Sequence, residues 1–143
     1  MTSTIYKNKS TNWTTSDIPN LEGKTVFITG SNSGLGFYTA KALAEKNAHV
    51  VLACRTLKKA NSAIEKLNSI NPGGKFSPLE LDLADLNNVT EIGSKFSNDF
   101  ENLDLLINNA GIMHPPKTLS AQGFEIQFAV NHLAHMLLSL IHI

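Results

Sequence analysis

The sequence predicts an α/β fold, a doubly wound parallel sheet, from three observations. Short β-branched runs alternate with segments of helical periodicity. A glycine-rich turn joins the first run to the first helical segment. Pro78 interrupts the third run, and a proline cannot donate to a sheet ladder, so that strand belongs at an edge.

Taken in order, Thr25-Val26-Phe27-Ile28-Thr29 reads as a strand by its β-branched content. Gly34 to Lys46 reads as a helix ending near Asn47, and His49 to Ala53 as a second strand. Thr56 is a suitable N-cap for the next helix, whose Ala60, Ile64 and Leu67 share one face. Asn71-Pro72-Gly73-Gly74 ends it. Phe76 to Leu81 forms the third strand. Val89, Ile92, Phe96 and Phe100 mark a further helix face, Leu103 to Asn108 a fourth strand, and Glu125 to about Leu138 a final helix. The doubly wound order 3-2-1-4 places the third strand at the edge, where Pro78 is tolerated. Residues 1–20 are rich in Ser, Thr and Asn and are expected to be a flexible amino-terminal arm; residues 21–143 form the domain.

Composition narrows the function. Hydrophobic residues make up 42% and charged residues 17% of 143, which describes a globular chain rather than a disordered one. The formal net charge of zero argues against a broad nucleic-acid or anionic-membrane footprint. The single cysteine, Cys54, permits no intrachain disulfide and no cysteine-based zinc site, so no metal is expected. Residues 1–20 carry no apolar leader, and no run approaches the roughly 18 apolar residues of a membrane span. The expected location is cytoplasmic.

Three motifs carry chemistry. The first is Thr29-Gly30-Ser31-Asn32-Ser33-Gly34-Leu35-Gly36, between the first strand and first helix. Glycines let the backbone turn tightly and approach a ligand. A helix amino terminus offers unpaired N–H groups and partial positive charge, which suit a diphosphate. The spacing is Gly-x-x-x-Gly-x-Gly rather than the commoner Gly-x-Gly-x-x-Gly. A plain glycine-rich turn is the competing reading, and the flanking strand and helix weigh against it. The second motif is Arg55, after the second strand. Chains that select NAD place an acid about 20 residues past the glycines. Here no Asp or Glu lies between Glu45 and Glu65. A guanidinium pairs with the 2′-phosphate of NADP, whereas a carboxylate repels it, so NADP is favoured over NAD. An ordinary exposed arginine is the alternative. The third is Asn108-Asn109-Ala110-Gly111 after the fourth strand, one strand beyond Leu81-Asp82-Leu83. Strands 1 and 4 flank the switch point where ligands bind in such sheets.

With Asn131-His132-Leu133-Ala134-His135 added, these motifs in this order resemble the short-chain dehydrogenase/reductase superfamily. The tract Phe124 to Leu133 resembles the branch of retinol dehydrogenases and protochlorophyllide reductases. The resemblance covers about Leu21 to Leu137. It implies a Rossmann-type domain that binds a nicotinamide coenzyme and moves hydride between it and a carbonyl or alcohol substrate. Residues Gly30, Ser31, Asn32, Ser33, Gly34, Leu35 and Gly36 would form the diphosphate turn. Asp82 would reach the adenine with Leu83 beside it, and Asn109, Ala110 and Gly111 would line the adenosine ribose and stabilise the sheet. Asn131 would be the asparagine of the catalytic tetrad, holding a water of the proton relay; a satisfied polar residue in a helix is the plainer reading. His132 and His135 are expected to be packed or exposed helix residues, not metal ligands.

The resemblance also implies a serine, and a tyrosine with a lysine four residues later that lowers its pKa. Neither tyrosine fits, because Tyr6 is followed by Ser10 and Tyr38 by Ala42. The catalytic Ser, Tyr and Lys and the later strands are therefore expected to be missing, leaving an inactive fragment. The closing Leu138-Ser139-Leu140-Ile141-His142-Ile143 matches the in-frame translation of a transposon-end adaptor used in sequencing libraries. The natural chain is expected to depart from this text near position 138; a native apolar helix end is the alternative. The resemblance admits a homo-oligomeric full-length protein. Two rival readings stand beside it: a non-catalytic NADP-sensing module, and a non-functional truncated gene product.

Overall fold

The computed structural model describes residues 13–71 and 73–142. Within them the chain runs β1 (Thr25–Thr29), α1 (Gly34–Ala44), β2 (His49–Cys54), α2 (Leu57–Ile70), β3 (Lys75–Glu80), α3 (Leu86–Asp99) and β4 (Leu105–Ile107). It then forms α4 (Ile126–Phe128), a π-helical turn (Ala129–Leu133) and α5 (Ala134–His142). Local chemistry sets the boundaries. Asn47 leaves α1 at φ 70°, a left-handed conformation that asparagine tolerates. Thr56 Oγ1 accepts the Lys59 N–H at the start of α2. The Asp85 carboxylate accepts the Asn87 N–H at the start of α3, and burial of Val89 and Phe96 fixes which face turns inward.

All four strands are parallel, in the order β3-β2-β1-β4. Pro78 lies on the edge strand β3, opposite Leu52. Successive residues of β1 point to opposite faces. Val26 and Ile28 pack with Val50 and Leu52 beneath α1 and α2, through Ala40, Leu43 and Leu67. Phe27 packs with Val51 and Ala53 beneath α3 and α5, through Val89, Phe96, Ala134 and Leu138. The result is three layers, with helices on both faces of the sheet. Each large apolar side chain removed from water contributes about 1.5–3 kcal/mol, so the two apolar layers dominate stability.

Two elements differ from the sequence expectation. β4 is only three residues, Leu105–Ile107, not Leu103 to Asn108. Asp104 accounts for its late start: its carboxylate accepts the Thr25 N–H at 2.9 Å and the Lys24 ammonium at 2.8 Å. Those bonds hold its carboxyl below the usual range, the Lys24 contact contributing most. The final helix is broken by a π turn and extends to His142. Within it Leu138 is fully buried and Ile141 lies against Gly93 of α3. Met136 and Leu140 remain exposed.

Residues 1–12 of the expected arm lie outside the described residues. The remainder is docked: Ile18 packs on the α1–α2 layer, Lys46 Nζ donates to the Ser16 carbonyl, and Asn47 donates to the Asn20 side chain. At the other side of the sheet β4 forms an edge with Leu105 40% exposed. An apolar edge strand is a template for pairing with another chain.

Two outcomes follow. The 143-residue chain expressed alone is expected to self-associate, and Leu105→Lys should reduce this in sedimentation velocity; equal association of both chains would show that β4 is not the template. Asp104 has a lowered folded pKa, so its contribution is present above the unfolded carboxylate pKa and is lost as pH falls through the lower folded value. Asp104→Asn should therefore flatten the acid limb of stability below about pH 4 in denaturant titrations.

Candidate functional site

The carboxyl ends of the strands converge on a cleft of about 520 Å³. β1 contributes Thr29 and Gly30, β2 contributes Ala53 and leads to Arg55, and the segments after β3 and β4 contribute Leu81 to Ala84 and Asn109 to Ile112. The topology dictates this location. The crossovers after β1 and β4 leave the sheet in opposite directions, so their loops part and open a crevice.

Ten residues singled out from sequence border the cleft: Gly30, Asn32, Ser33, Leu35, Arg55, Asp82, Leu83, Asn109, Ala110 and Gly111. Ser31, Gly34, Gly36 and Asn131 do not. Ser31 is fully buried, and its hydroxyl donates to the Ile28 carbonyl at 3.1 Å, stapling the turn to β1. Gly36 lies under the turn, where a Cβ would stand 2.7 Å from the Gly30 oxygen. Gly30 has φ 65°, and a Cβ there would meet the Ala110 Cα at 2.8 Å. Glycine at 30 and 36 is thus a packing requirement that brings the first turn and the 109–111 turn together.

A diphosphate group fits this architecture. Ser33 is the N-cap of the 11-residue helix α1 yet makes no side-chain cap hydrogen bond. The first-turn N–H groups have no partner within the helix and sit at its positive end, beside the cleft. Gly34, at φ 57°, has open space where a side chain would stand.

The cationic side of the cleft holds Arg55 and Lys59. Lys59 was missed by the sequence reading. Lys59, with Lys58 and Lys66, also borders a shallow depression beside the cleft. Its signal was legible: the first turn of α2 carries lysines and no acid, against the sense of the helix dipole. Glu80, at the end of β3, lies outside the Glu45–Glu65 interval in which the sequence was searched for a carboxylate. Glu80 accepts the Leu57 N–H at 3.0 Å, capping α2, and does not border the cleft. Asp82 accepts the Ala84 N–H at 2.9 Å, which fixes the turn after β3. Burial pushes the Cys54 thiol up, so it is protonated and inert at neutral pH.

Asn109 clasps the ends of β1 and β4. Its Nδ2 donates to the Thr29 carbonyl at 2.9 Å and the Gly30 carbonyl at 3.2 Å. The Thr29 hydroxyl in turn accepts the backbone N–H groups of Asn109 and Ala110, both at 3.0 Å. Thr29 opens the glycine-rich motif, but the sequence reading gave its hydroxyl no role of its own.

Asn131 sits in the π turn, which is closed by the Ala134 N–H reaching the Ala129 carbonyl five residues back. Such bulges recur at functional sites. The Asn131 side chain holds the backbone of Ile112 from both sides: Oδ1 accepts its N–H and Nδ2 donates to its carbonyl, each at 2.8 Å. One lone pair and one N–H of its amide thus engage the loop after β4, beside Gly111. His132 is exposed and stacks on Phe128, whereas His135 is buried. Tyr38 projects outward from α1, 67% exposed, away from the cleft. Among the described residues, no helix is long and apolar enough to cross a membrane.

Comparison with known proteins agrees with this geometry. The family model for short chain dehydrogenase matches residues 24–142. Retinol dehydrogenase 13 of Homo sapiens is 40% identical over 119 residues, covering 83% of this chain and 36% of that protein. Among solved structures, an uncharacterized protein from Mycobacterium paratuberculosis superposes with a TM-score of 0.78 at 41% identity, over 92% of this chain and 46% of that one. A structure from Haemophilus influenza, described as a D-mannonate oxidoreductase with bound NAD, reaches a TM-score of 0.68 at 26% identity, over 87% of this chain and 50% of that one. The chain thus spans between about a third and a half of the length of the proteins it matches. A parallel sheet of order 3-2-1-4, a glycine turn locked against an Asn-Ala-Gly turn, and a family match across residues 24–142 lead to one conclusion: the chain belongs to the short-chain dehydrogenase family, and is similar within it to the retinol dehydrogenases.

Proposed function

We propose that this chain is the coenzyme-binding amino-terminal part of a longer NADP-dependent oxidoreductase acting on a carbonyl or alcohol, here called the complete protein. The observation that carries the reading is the pairing of two features in one cleft: unfilled N–H donors at the start of α1, and Arg55 with Lys59 at the adenosine end. The first suits a diphosphate, and the second suits the extra phosphate that separates NADP from NAD.

When bound, the nicotinamide gives or takes the hydride. The residues of this chain bind and orient. Gly30, Asn32, Ser33 and Leu35 line the diphosphate turn, with Ser31, Gly34 and Gly36 shaping it from behind. Asp82 and Leu83 would flank the adenine, and Asn109, Ala110 and Gly111 would line the ribose. Asn131 holds the loop after β4 and would hold a water of the proton relay. The carbonyl or alcohol substrate class rests on the family and on the retinol dehydrogenase relatives. The acid–base tyrosine, its lysine and the polarising serine are assigned to sequence beyond residue 143, so the 143-residue chain is expected to turn over nothing by itself.

In the complete protein, Arg55→Asp should weaken NADP by about 2–4 kcal/mol, because it removes a charge-assisted pair and adds a repelling carboxylate, while NAD affinity changes little. Lys59→Ala should move the same ratio in the same direction by a smaller factor. Titration calorimetry with both coenzymes measures this; an unmoved NADP/NAD ratio in both variants would remove the basis for the NADP reading. Turnover of a carbonyl by NADPH separates an enzyme from a non-catalytic NADP sensor.

A further inference from the structure

His135 is a buried imidazole to which the proposed chemistry assigns no task. It lies on α5, 7% exposed, with Nε2 2.9 Å from Thr29 Oγ1 and Nδ1 3.3 Å from the Asn131 carbonyl. Thr29 is itself 1% exposed. The hydrogen-bond inventory decides the tautomer. A hydroxyl has two lone pairs and one proton. Both lone pairs of Thr29 Oγ1 are taken by the Asn109 and Ala110 N–H groups. Only its proton remains, and it points at Nε2, since the other acceptor, the Ile107 carbonyl, is farther at 3.4 Å. Nε2 must therefore offer its lone pair, and the ring proton sits on Nδ1, where it donates to the Asn131 carbonyl. Burial holds the imidazole pKa down, which agrees with a neutral ring.

We propose that His135 is a positioning residue that, as the neutral Nδ1–H tautomer, orients the Thr29 hydroxyl so that it holds the 109–111 turn and ties that turn to the π turn carrying Asn131. The coenzyme-binding turn and the Asn131 segment then move as one unit. An apolar residue of similar size would fill the same space without setting the hydroxyl's direction. This inference rests on the NADP-binding reading above for its consequence, though not for its geometry.

Three substitutions in the complete protein separate positioning from packing. His135→Gln keeps an acceptor near the Nε2 position, His135→Asn keeps a polar group only near Nδ1, and His135→Leu keeps neither. NADPH affinity, read by coenzyme fluorescence, should stay within about twofold of wild type in His135→Gln and fall about five- to tenfold in His135→Asn and His135→Leu. In parallel, nitrogen NMR of ¹⁵N-histidine-labelled wild type should show His135 with its proton on Nδ1. That measurement needs neither a variant nor bound coenzyme, so it still decides the tautomer if a substitution prevents folding. Wild type that binds no NADPH while showing the Nδ1–H tautomer would refute the function above and leave the bridge intact. A proton on Nε2, or equal NADPH affinity in all three variants, would overturn the proposal.

Discussion

The site depends on one hydroxyl. Thr29 closes β1 at the point where the chain must turn away toward α1, and its Oγ1 holds the two backbone N–H groups that begin the turn after β4. β4 contributes only three residues of ladder. So short a strand cannot by itself fix the direction of the loop that follows it. The Thr29 hydroxyl and the Asn109 amide supply the missing constraint, and Gly30 permits it, because no side chain at that position would leave room for Ala110. Hydrogen bonds of this kind contribute about 0.5–1.5 kcal/mol each, but an unmet buried partner costs about 1–3 kcal/mol, so the arrangement is held more by the penalty for leaving it than by its own strength.

From that clasp the rest of the cleft follows. The first turn lies over the 109–111 turn, α1 points its amino terminus at the crevice, and the Asn131 amide carries the same backbone order one step further to Ile112. Electrostatics is arranged around this frame without strong internal pairing. Arg55 and Lys59 border the cleft, and neither takes part in a salt bridge among the described residues. Glu80 approaches from β3 but is directed to the Leu57 N–H, so its negative charge caps α2 instead of lining the cleft. The balance on that side favours an anionic ligand.

The large features were legible in the sequence because they arise from local chemistry. The β-branched content of Thr25–Thr29 and the glycines that follow it specify a strand and a turn without reference to the rest of the chain. Pro78 carried topological information, since its missing N–H is compatible with an edge and β3 is one. What was not legible depends on contacts distant in sequence. The shortened β4 results from Asp104 turning back to Thr25 and Lys24, 79 and 80 residues away. The π turn leaves no mark in apolar periodicity, so Glu125 to Leu138 read as one plain helix. Thr29 and His135 are 106 residues apart, and nothing in either neighbourhood announces their bond. Lys59 is the exception, because lysines in a first turn oppose the helix dipole and could have been recognised.

The most direct test is hydrogen exchange at the Ala110 amide, whose acceptor is the Thr29 hydroxyl. In the complete protein, Thr29→Val removes that acceptor and keeps the branched shape. The account predicts that protection at Ala110 drops by about tenfold or more while Val50 and Val51 in the sheet centre stay protected, and that NADPH affinity falls with it. Unchanged protection at Ala110 in Thr29→Val would contradict the claim that this hydroxyl organises the site.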